Sequence, residues 1–138
     1  MAMLTADEVT PRAIRAVMPD CMKGRKYNKF AEGMEITIES VAFSVYAKRD
    51  KNGAEIVRKD GSIVHKMTAY VGYDGGRYAT VGNEFAIGQL FSITEVVDEN
   101  AEGVTEFPDI EPCKVKITTK DIKYGDKTFP SWVFIPME

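Results

Sequence analysis

The feature that most constrains the fold is a long β-type run, MEITIESVAFSVYAK, at residues 34–48. Its apolar positions are even-numbered in the first half and odd-numbered in the second: Met34, Ile36, Ile38, Val41, Phe43 and Val45. Such a slip moves the apolar side to the other face unless a β-bulge absorbs the extra residue. Two separate strands are the alternative, but no turn residue divides the run. The pattern therefore predicts one long strand with a bulge near Glu39, the bent strand that a small barrel needs.

Turn signals divide much of the remaining chain into four further strands. Alternation and β-forming residues place these strands at residues 63–73, 77–82, 113–125 and 127–136. Asp74-Gly75-Gly76 and Gly125-Asp126 are typical of tight hairpin turns, in which glycine supplies positive φ. Residues 48–62 contain two more turn signals, Asn52-Gly53 and Asp60-Gly61, and read as a long charged connection.

Two short helices complete the predicted pattern. Residues 5–18 begin with a capping-box signature, and residues 83–93 begin with Asn83, a good N-cap. One short helix between the third and fourth of five strands is the order of the OB-fold, a partly open Greek-key barrel. We therefore predict a mainly β, five-stranded OB-fold-like barrel in a single domain spanning residues 1–138, with residues 1–30 forming the N-terminal helix and a basic loop. A β-sandwich and an SH3-like barrel are the alternative folds.

The net charge of −3 conceals a separation of charges along the chain. Residues 95–111 contain seven acidic residues and no basic one, which predicts a solvated acidic loop. The rest of the chain has 18 basic and 14 acidic residues. A basic face that binds an anionic partner is therefore compatible with the acidic pI.

Catalytic and metal-binding motifs are not found in the sequence. The glycines at 72, 75, 76 and 82 match neither the Walker loop nor the dinucleotide fingerprint. His65 is the only histidine, and Cys21 and Cys113 lack zinc-ligand spacing. We expect a protein that is not an enzyme and has no cofactor or metal. No long apolar run or secretory signal occurs, so a cytoplasmic location without a membrane partner is expected.

Basic and aromatic residues interleave along several predicted strands and turns. Single-stranded nucleic acid is bound by cations that contact phosphates and by aromatic rings on which bases stack, each stack contributing roughly 1–3 kcal/mol. Residues of both types on a polar strand face or beside a turn are the candidate contacts: Tyr46, Lys48, Arg49, Lys66, Tyr70, Tyr73, Arg77, Tyr78, Lys114, Lys116, Lys120 and Trp132. Aromatic residues also pack well in strands and cores. The phenylalanines expected in the core are Phe43, Phe85, Phe91, Phe129 and Phe134.

The layout of residues 30–136 resembles that of small single-stranded DNA-binding proteins encoded by bacteriophages. The matching runs are G-x-x-I-x-I-x-x-V at Gly33–Val41, K-M-T-A-Y-V-G-Y, G-N-E-F-A-I-G-Q-L and the closing K-Y-G-D-K-T-F…W-V-F. The resemblance implies an OB-fold that coats exposed single strands during DNA replication or recombination in the host cytoplasm, without metal or catalysis. Many such proteins end in an acidic tail that recruits partners, whereas this chain ends FIPME. The internal run 95–111 is then the expected contact for replication or recombination proteins.

Two other classes of function compete with single-stranded DNA binding. A non-catalytic β-barrel module for assembly or protein–protein adaptation predicts a stable homo-oligomer and no affinity for nucleic acid. A small hydrolase or nucleotide-binding enzyme is the third hypothesis, and it lacks the expected motifs.

Overall fold

The computed structural model describes residues 18–94 and 102–137. The predicted helix at 5–18 therefore lies outside the described residues, apart from Met18. The described chain begins with a single 3-10 turn at Asp20–Met22. No helix in the described ranges is long and apolar enough to cross a membrane.

Seven strands and one α-helix are described. They are β1 (Lys26–Tyr27), β2 (Glu35–Ala47), β3 (His65–Tyr73), β4 (Arg77–Val81), α1 (Glu84–Phe91), β5 (Gly103–Phe107), β6 (Cys113–Tyr124) and β7 (Lys127–Pro136). The predicted strands all occur, as β2, β3, β4, β6 and β7. The short helix predicted after the third of them is α1, and Asn83 caps it by accepting a hydrogen bond from the amide of Ala86 at 2.8 Å.

One curled sheet contains all seven strands, in the order β1-β4-β3-β2-β6-β7, with β5 also pairing with β2. One edge of β2 pairs with β3 over Ile38–Ala47. The other edge is shared: its first part pairs with β6, and Val41–Val45 pairs with β5. Strands β5 and β6 thus lie in line along β2, and the sheet forms a half-barrel around its apolar side.

The predicted bulge in the long strand is confirmed. The register between β2 and β3 shifts between Ile38 and Ser40. The backbone carbonyl of Glu39, at the shift, accepts a hydrogen bond from the amide of Ile110 at 3.3 Å. The bulge keeps the apolar residues of both halves of β2 on one side, because Ile38 and Val41 both lie in the core.

The main core fills the concave side of the half-barrel. It contains side chains from β2, β3, β4, α1, β6 and β7, among them Phe43, Val71, Leu90, Ile117 and Phe134. A second, smaller cluster on the opposite side of the sheet joins Met22 to Ala42 and Tyr70. Phe85, predicted to be in the core, is instead 39% exposed, because Ala86, Ile87 and Leu90 form the buried side of α1.

The predicted turns are confirmed in detail. Asp74 and Gly75 both have positive φ, 48° and 80°, and form the tight turn between β3 and β4. In the charged connection, Gly53 and Gly61 also have positive φ. Two isolated bridges, Arg49↔Glu55 and Val57↔Ile63, fold residues 48–64 into an ordered extension, here called the β2–β3 arm.

Two predicted loops are corrected, and of the predicted OB-fold-like barrel the structure shows a mainly β, curled half-barrel sheet. Strand β1 lies in the predicted basic loop, and β5 lies in the predicted acidic loop at 95–111. In the described ranges, no pairing joins β4 to β7, so the sheet is open. The side chain of Gln89 on α1 instead binds the edge of β7: it donates to the carbonyl of Trp132 at 2.9 Å and accepts from the amide of Phe134 at 2.8 Å. A helix side chain therefore occupies the edge at which another strand would pair.

Candidate nucleic-acid interface

The side of the sheet opposite the main core carries most of the predicted aromatic contacts. We call it the outer face. Residues that pair directly across antiparallel strands share a face, and the register assigns these to the outer face of β2, β3 and β4: Ser40, Ala42, Ser44, Tyr46, Lys66, Thr68, Tyr70, Gly72, Tyr78 and Thr80. The bulge also leaves Glu35, Thr37 and Glu39 on this side.

One end of the outer face is open to solvent. Tyr46 lies opposite Lys66 across β2 and β3, and its hydroxyl is 3.4 Å from Oγ1 of Thr68. Tyr46 is half-buried and Lys66 is exposed. We call Tyr46, Lys66, Thr68 and Thr80 the Tyr46 patch. It combines an aromatic ring with a cation and two hydroxyls, which suits a stacked base next to a phosphate.

A second aromatic pair lies where β1 joins the sheet. Tyr27 is 52% exposed and packs edge-to-face on the half-buried Tyr78, with ring centroids 5.4 Å apart. Tyr27 was not among the predicted contacts because it lies in a run that reads as a basic loop. The sequence feature that marks Tyr27 as a candidate contact is its position among the basic residues Arg25, Lys26 and Lys29. Parallel pairing of β1 with β4 brings this loop residue beside Tyr78.

Residues 18–27, here called the strap, cover part of the outer face. Met22 is fully buried and packs in one cluster with Ala42 and Tyr70. Tyr70 is consequently only 7% exposed. Tyr73 is fully buried in the main core, where its hydroxyl donates to the carbonyl of Asn28 at 2.7 Å. Neither ring is accessible for stacking, which corrects the inclusion of both among the expected contacts.

Polar contacts hold the strap in place. Nη1 of Arg25 is 3.2 Å from Oε1 of Glu39 and donates to the carbonyl of Arg77 at 3.3 Å. The amide of Cys21 donates to Oε1 of Glu106 on β5 at 2.7 Å. Burial, together with that carboxylate, raises the pKa of the Cys21 thiol to about 12. Cys21 is therefore protonated at neutral pH and is a poor nucleophile.

The three predicted lysines of β6 lie on one side of the β6–β7 hairpin. Lys114, Lys116 and Lys120 are exposed and alternate with the buried Val115 and Ile117. Trp132 lies on the other side, paired opposite Thr119, and it packs edge-to-face against Phe30 at 6.1 Å. The structure thus separates Trp132 from the lysines that precede it.

The remaining predicted cations lie at the margins of the sheet. Lys48 is exposed at the start of the β2–β3 arm. Arg49 is half-buried, and its guanidinium binds the arm itself: Nη1 donates to the carbonyl of Gly53 at 3.2 Å and Nη2 is 3.6 Å from Glu55. Arg77 is exposed beside the Asp74–Gly76 turn, on the face opposite that of Tyr78. Of the predicted cations, Lys66 alone is paired directly with an outer-face tyrosine.

In residues 18–94 and 102–137, no three acidic, histidine or cysteine side chains are grouped so that they could hold a metal ion. His65 is near one carboxylate, with its Nε2 3.9 Å from Oε1 of Glu102.

The chain matches no described protein family, and no curated protein or solved structure is significantly similar to it.

Proposed function

We propose that this protein binds single-stranded DNA with little sequence preference, through the open part of the outer face. The observation that carries the proposal is the Tyr46 patch, where an accessible aromatic ring lies directly opposite an exposed lysine. Tyr27 and Tyr78 provide a further pair of aromatic rings on the same face. Sequence-tolerant binding of single strands uses this combination of stacking surface and phosphate-binding cations.

The strand pairing supports an OB-type origin for the half-barrel. Strand β2 pairs with β3, which pairs with β4, and β2 also pairs with β6, which pairs with β7. We propose that these are the five strands of an OB-fold in which α1 replaces the closing strand pair. In OB-folds the second and third strands form the ligand face, together with the loop between the first two strands. Here those elements are β3, β4 and the β2–β3 arm.

The charge of the elements around the face favours an anionic ligand. Residues 48–66, which include the β2–β3 arm, contain six basic and three acidic residues. Residues 113–129, which include the tip of the β6–β7 hairpin, contain five basic and two acidic residues. Because an excess of positive charge attracts phosphates rather than particular bases, affinity should fall as salt rises and should not depend strongly on sequence.

The direct test is fluorescence anisotropy of a labelled oligo-dT at low and moderate salt, with a duplex of equal length as control. Tyr46→Ala should weaken binding about five- to hundredfold, because one stack is lost, whereas Tyr46→Phe should retain affinity. Lys66→Gln should weaken binding and reduce the salt slope by about one. Phe85→Ala removes an exposed aromatic on α1 and is the matched control.

Anisotropy is preferred to tryptophan fluorescence because Trp132 packs against Phe30 on the core side. Absence of binding to the single strand at low salt, or equal binding to the duplex, would contradict the proposal. Tyr46→Ala that binds as the wild type would place the ligand elsewhere.

The exposed acidic residues of 102–111 are the proposed contact for a protein partner in replication or recombination. Glu102, Asp109 and Glu111 are exposed, whereas Glu106 is bound to the amide of Cys21. Charge reversal of these three exposed residues should abolish partner recruitment and leave oligo-dT affinity unchanged or higher. If recruitment by purified replication or recombination proteins survives the reversal, this contact is excluded.

A non-catalytic assembly module is the second candidate, and exposed apolar residues favour it. Ile135 on β7 and Val104 on β5 are 45% and 37% exposed. This candidate predicts a stable homo-oligomer by light scattering and no affinity for oligo-dT.

A further inference from the structure

A cleft lies where the outer row of β3 and β4 ends. It has a volume of about 350 Å³ and is bounded by the start of β3, the residue after β4, helix α1 and the β2–β3 arm. Met67, Ile87 and Phe91 provide its apolar wall. The volume is at the lower end of the range of about 300–1,000 Å³ that is usual for small-ligand sites.

The rim of this cleft is mainly cationic. Arg58 and Lys66 line it, together with His65 and one carboxylate, Glu84. Arg58 is held by the arm, since its Nη1 donates to Oγ of Ser62 at 3.3 Å and to the carbonyl of Ile63 at 3.2 Å. The guanidinium is therefore fixed at the rim by hydrogen bonds within its own loop. Fixed cations lose less conformational freedom on binding an anion than free ones.

His65 also lines the cleft. Its side chain is 14% exposed, and its Nε2 lies 3.9 Å from Oε1 of Glu102. The imidazole therefore adds a further polar group beside Arg58 and Lys66.

We propose that this cleft binds one nucleotide unit, with the phosphate on Arg58 and Lys66 and the base against Met67 and Phe91. Cations suit the phosphate, the apolar wall suits the flat base, and Glu84 can accept a hydrogen bond from a sugar hydroxyl or a base N–H. Neither a free anion nor a purely apolar ligand would use both kinds of surface. The inference rests on the proposed function, because Lys66 belongs to both the Tyr46 patch and the cleft.

The position of the cleft explains how a strand could reach it. On the outer face, Thr68 and Lys66 follow Tyr70 along β3, and Thr80 leads to Gly82 beyond the end of β4. Lys66 and Gly82 both line the cleft. Because Met67 and Phe91 lie on the core side, a single strand that crosses the Tyr46 patch would turn over the end of β3 at Lys66 to place one nucleotide in the cleft.

Calorimetric titration with dTMP, thymidine and inorganic phosphate tests the proposal on the full chain. We expect dTMP to bind more tightly than either fragment. Arg58→Gln should weaken dTMP binding about tenfold or more, because a charge-assisted contact is lost. Lys59→Gln, in the same turn but outside the cleft, is the matched control and should bind as the wild type.

Each outcome separates this inference from the proposed function. No dTMP binding, or dTMP binding unaffected by Arg58→Gln, overturns the cleft as a nucleotide site even if oligo-dT still binds. Inorganic phosphate that binds as tightly as dTMP overturns the role of the apolar wall. If the wild-type protein binds dTMP but not oligo-dT, the proposal that it coats single strands is rejected, and the cleft remains as a nucleotide site.

Discussion

At the scale of single residues, Gly72 is the position where the outer face least tolerates added atoms. A Cβ at Gly72 would collide with Oγ of Ser40 and would lie 3.1 Å from the guanidinium carbon of Arg25. Both neighbours are themselves constrained: Ser40 is buried, and Arg25 is paired with Glu39. We expect Gly72→Ala to lower the free energy of unfolding by about 1–3 kcal/mol, the usual cost of overpacking.

Urea denaturation measures this change, and Gly76→Ala is the matched control. Gly76 is close in sequence, has open space around its missing Cβ and does not have positive φ. If both substitutions give the same free energy of unfolding, Ser40 and Arg25 do not pack on Gly72 as described.

Tyr70 and Tyr73, the two buried tyrosines, show which side-chain positions local sequence predicts and which it does not. Tyr73 has the same parity along β3 as Ala69 and Val71, so alternation alone places it in the core. Its position beside a turn made it a candidate contact, and the parity was the better guide. Tyr70 has the outer parity, as predicted, but Met22 covers it. Met22 and Tyr70 are 48 residues apart in sequence. Their contact depends on tertiary packing, which a local sequence pattern does not indicate.

At the scale of elements, one side chain of α1 hydrogen-bonds to the backbone at the edge of β7. Gln89 donates to the carbonyl of Trp132 and accepts from the amide of Phe134, as a paired strand would. Gln89→Leu should leave both backbone groups without this partner and lower the free energy of unfolding by about 1–3 kcal/mol. Gln89→Glu keeps an acceptor for the amide but not the donor, so its effect should be smaller at neutral pH.

Hydrogen exchange of the Phe134 amide is the specific measurement for this prediction. Exchange should be fastest in Gln89→Leu and intermediate in Gln89→Glu. Equal exchange rates in the wild type and both variants would show that Gln89 does not protect the edge of β7.

Strands and turns that are set by local sequence could be predicted, whereas strands that form only by pairing with a distant strand could not. The bulged strand β2 and the Asp74–Gly76 turn follow from alternation and glycine chemistry within a few residues. Strand β5 was read as loop because its surroundings are acidic, yet Val41–Val45 of β2 pairs with it. Strand β1 is two residues long and exists only beside β4. Edge pairing of this kind is decided by long-range contacts.

At the scale of the whole molecule, the sequence did not indicate how far the sheet of the OB-fold-like barrel closes, because closure is non-local. Strand order along the chain does not say whether the edges of β4 and β7 meet. The same limit applies to the candidate site. The outer face joins Tyr46 to Lys66 across two strands, while the β6–β7 hairpin separates Trp132 from Lys120. Interleaving of basic and aromatic residues in sequence therefore does not indicate which of those residues share a surface.

The protonation of buried groups makes the stability of the whole molecule sensitive to alkaline pH. Burial and the Glu106 carboxylate raise the pKa of Cys21 to about 12, and burial raises the pKa values of Tyr70 and Tyr73. Each group keeps its proton in the folded state at pH values where the unfolded chain releases it. The unfolded chain then binds fewer protons, so the free energy of unfolding falls as pH rises.

The decline should begin near pH 8.5, where an unfolded cysteine titrates, and steepen near pH 10, where unfolded tyrosines titrate. Urea unfolding between about pH 7 and 10.5 measures it. Cys21→Ser should flatten the first part of the decline and leave the tyrosine part. Cys113→Ser is the matched control, because Cys113 is the other free thiol of the chain. A free energy of unfolding that stays constant above pH 8.5 would show that the strap does not shield Cys21 and Tyr70 in solution. In that case the outer face would be open along its full length, and Tyr70 would return to the set of rings on which a base could stack.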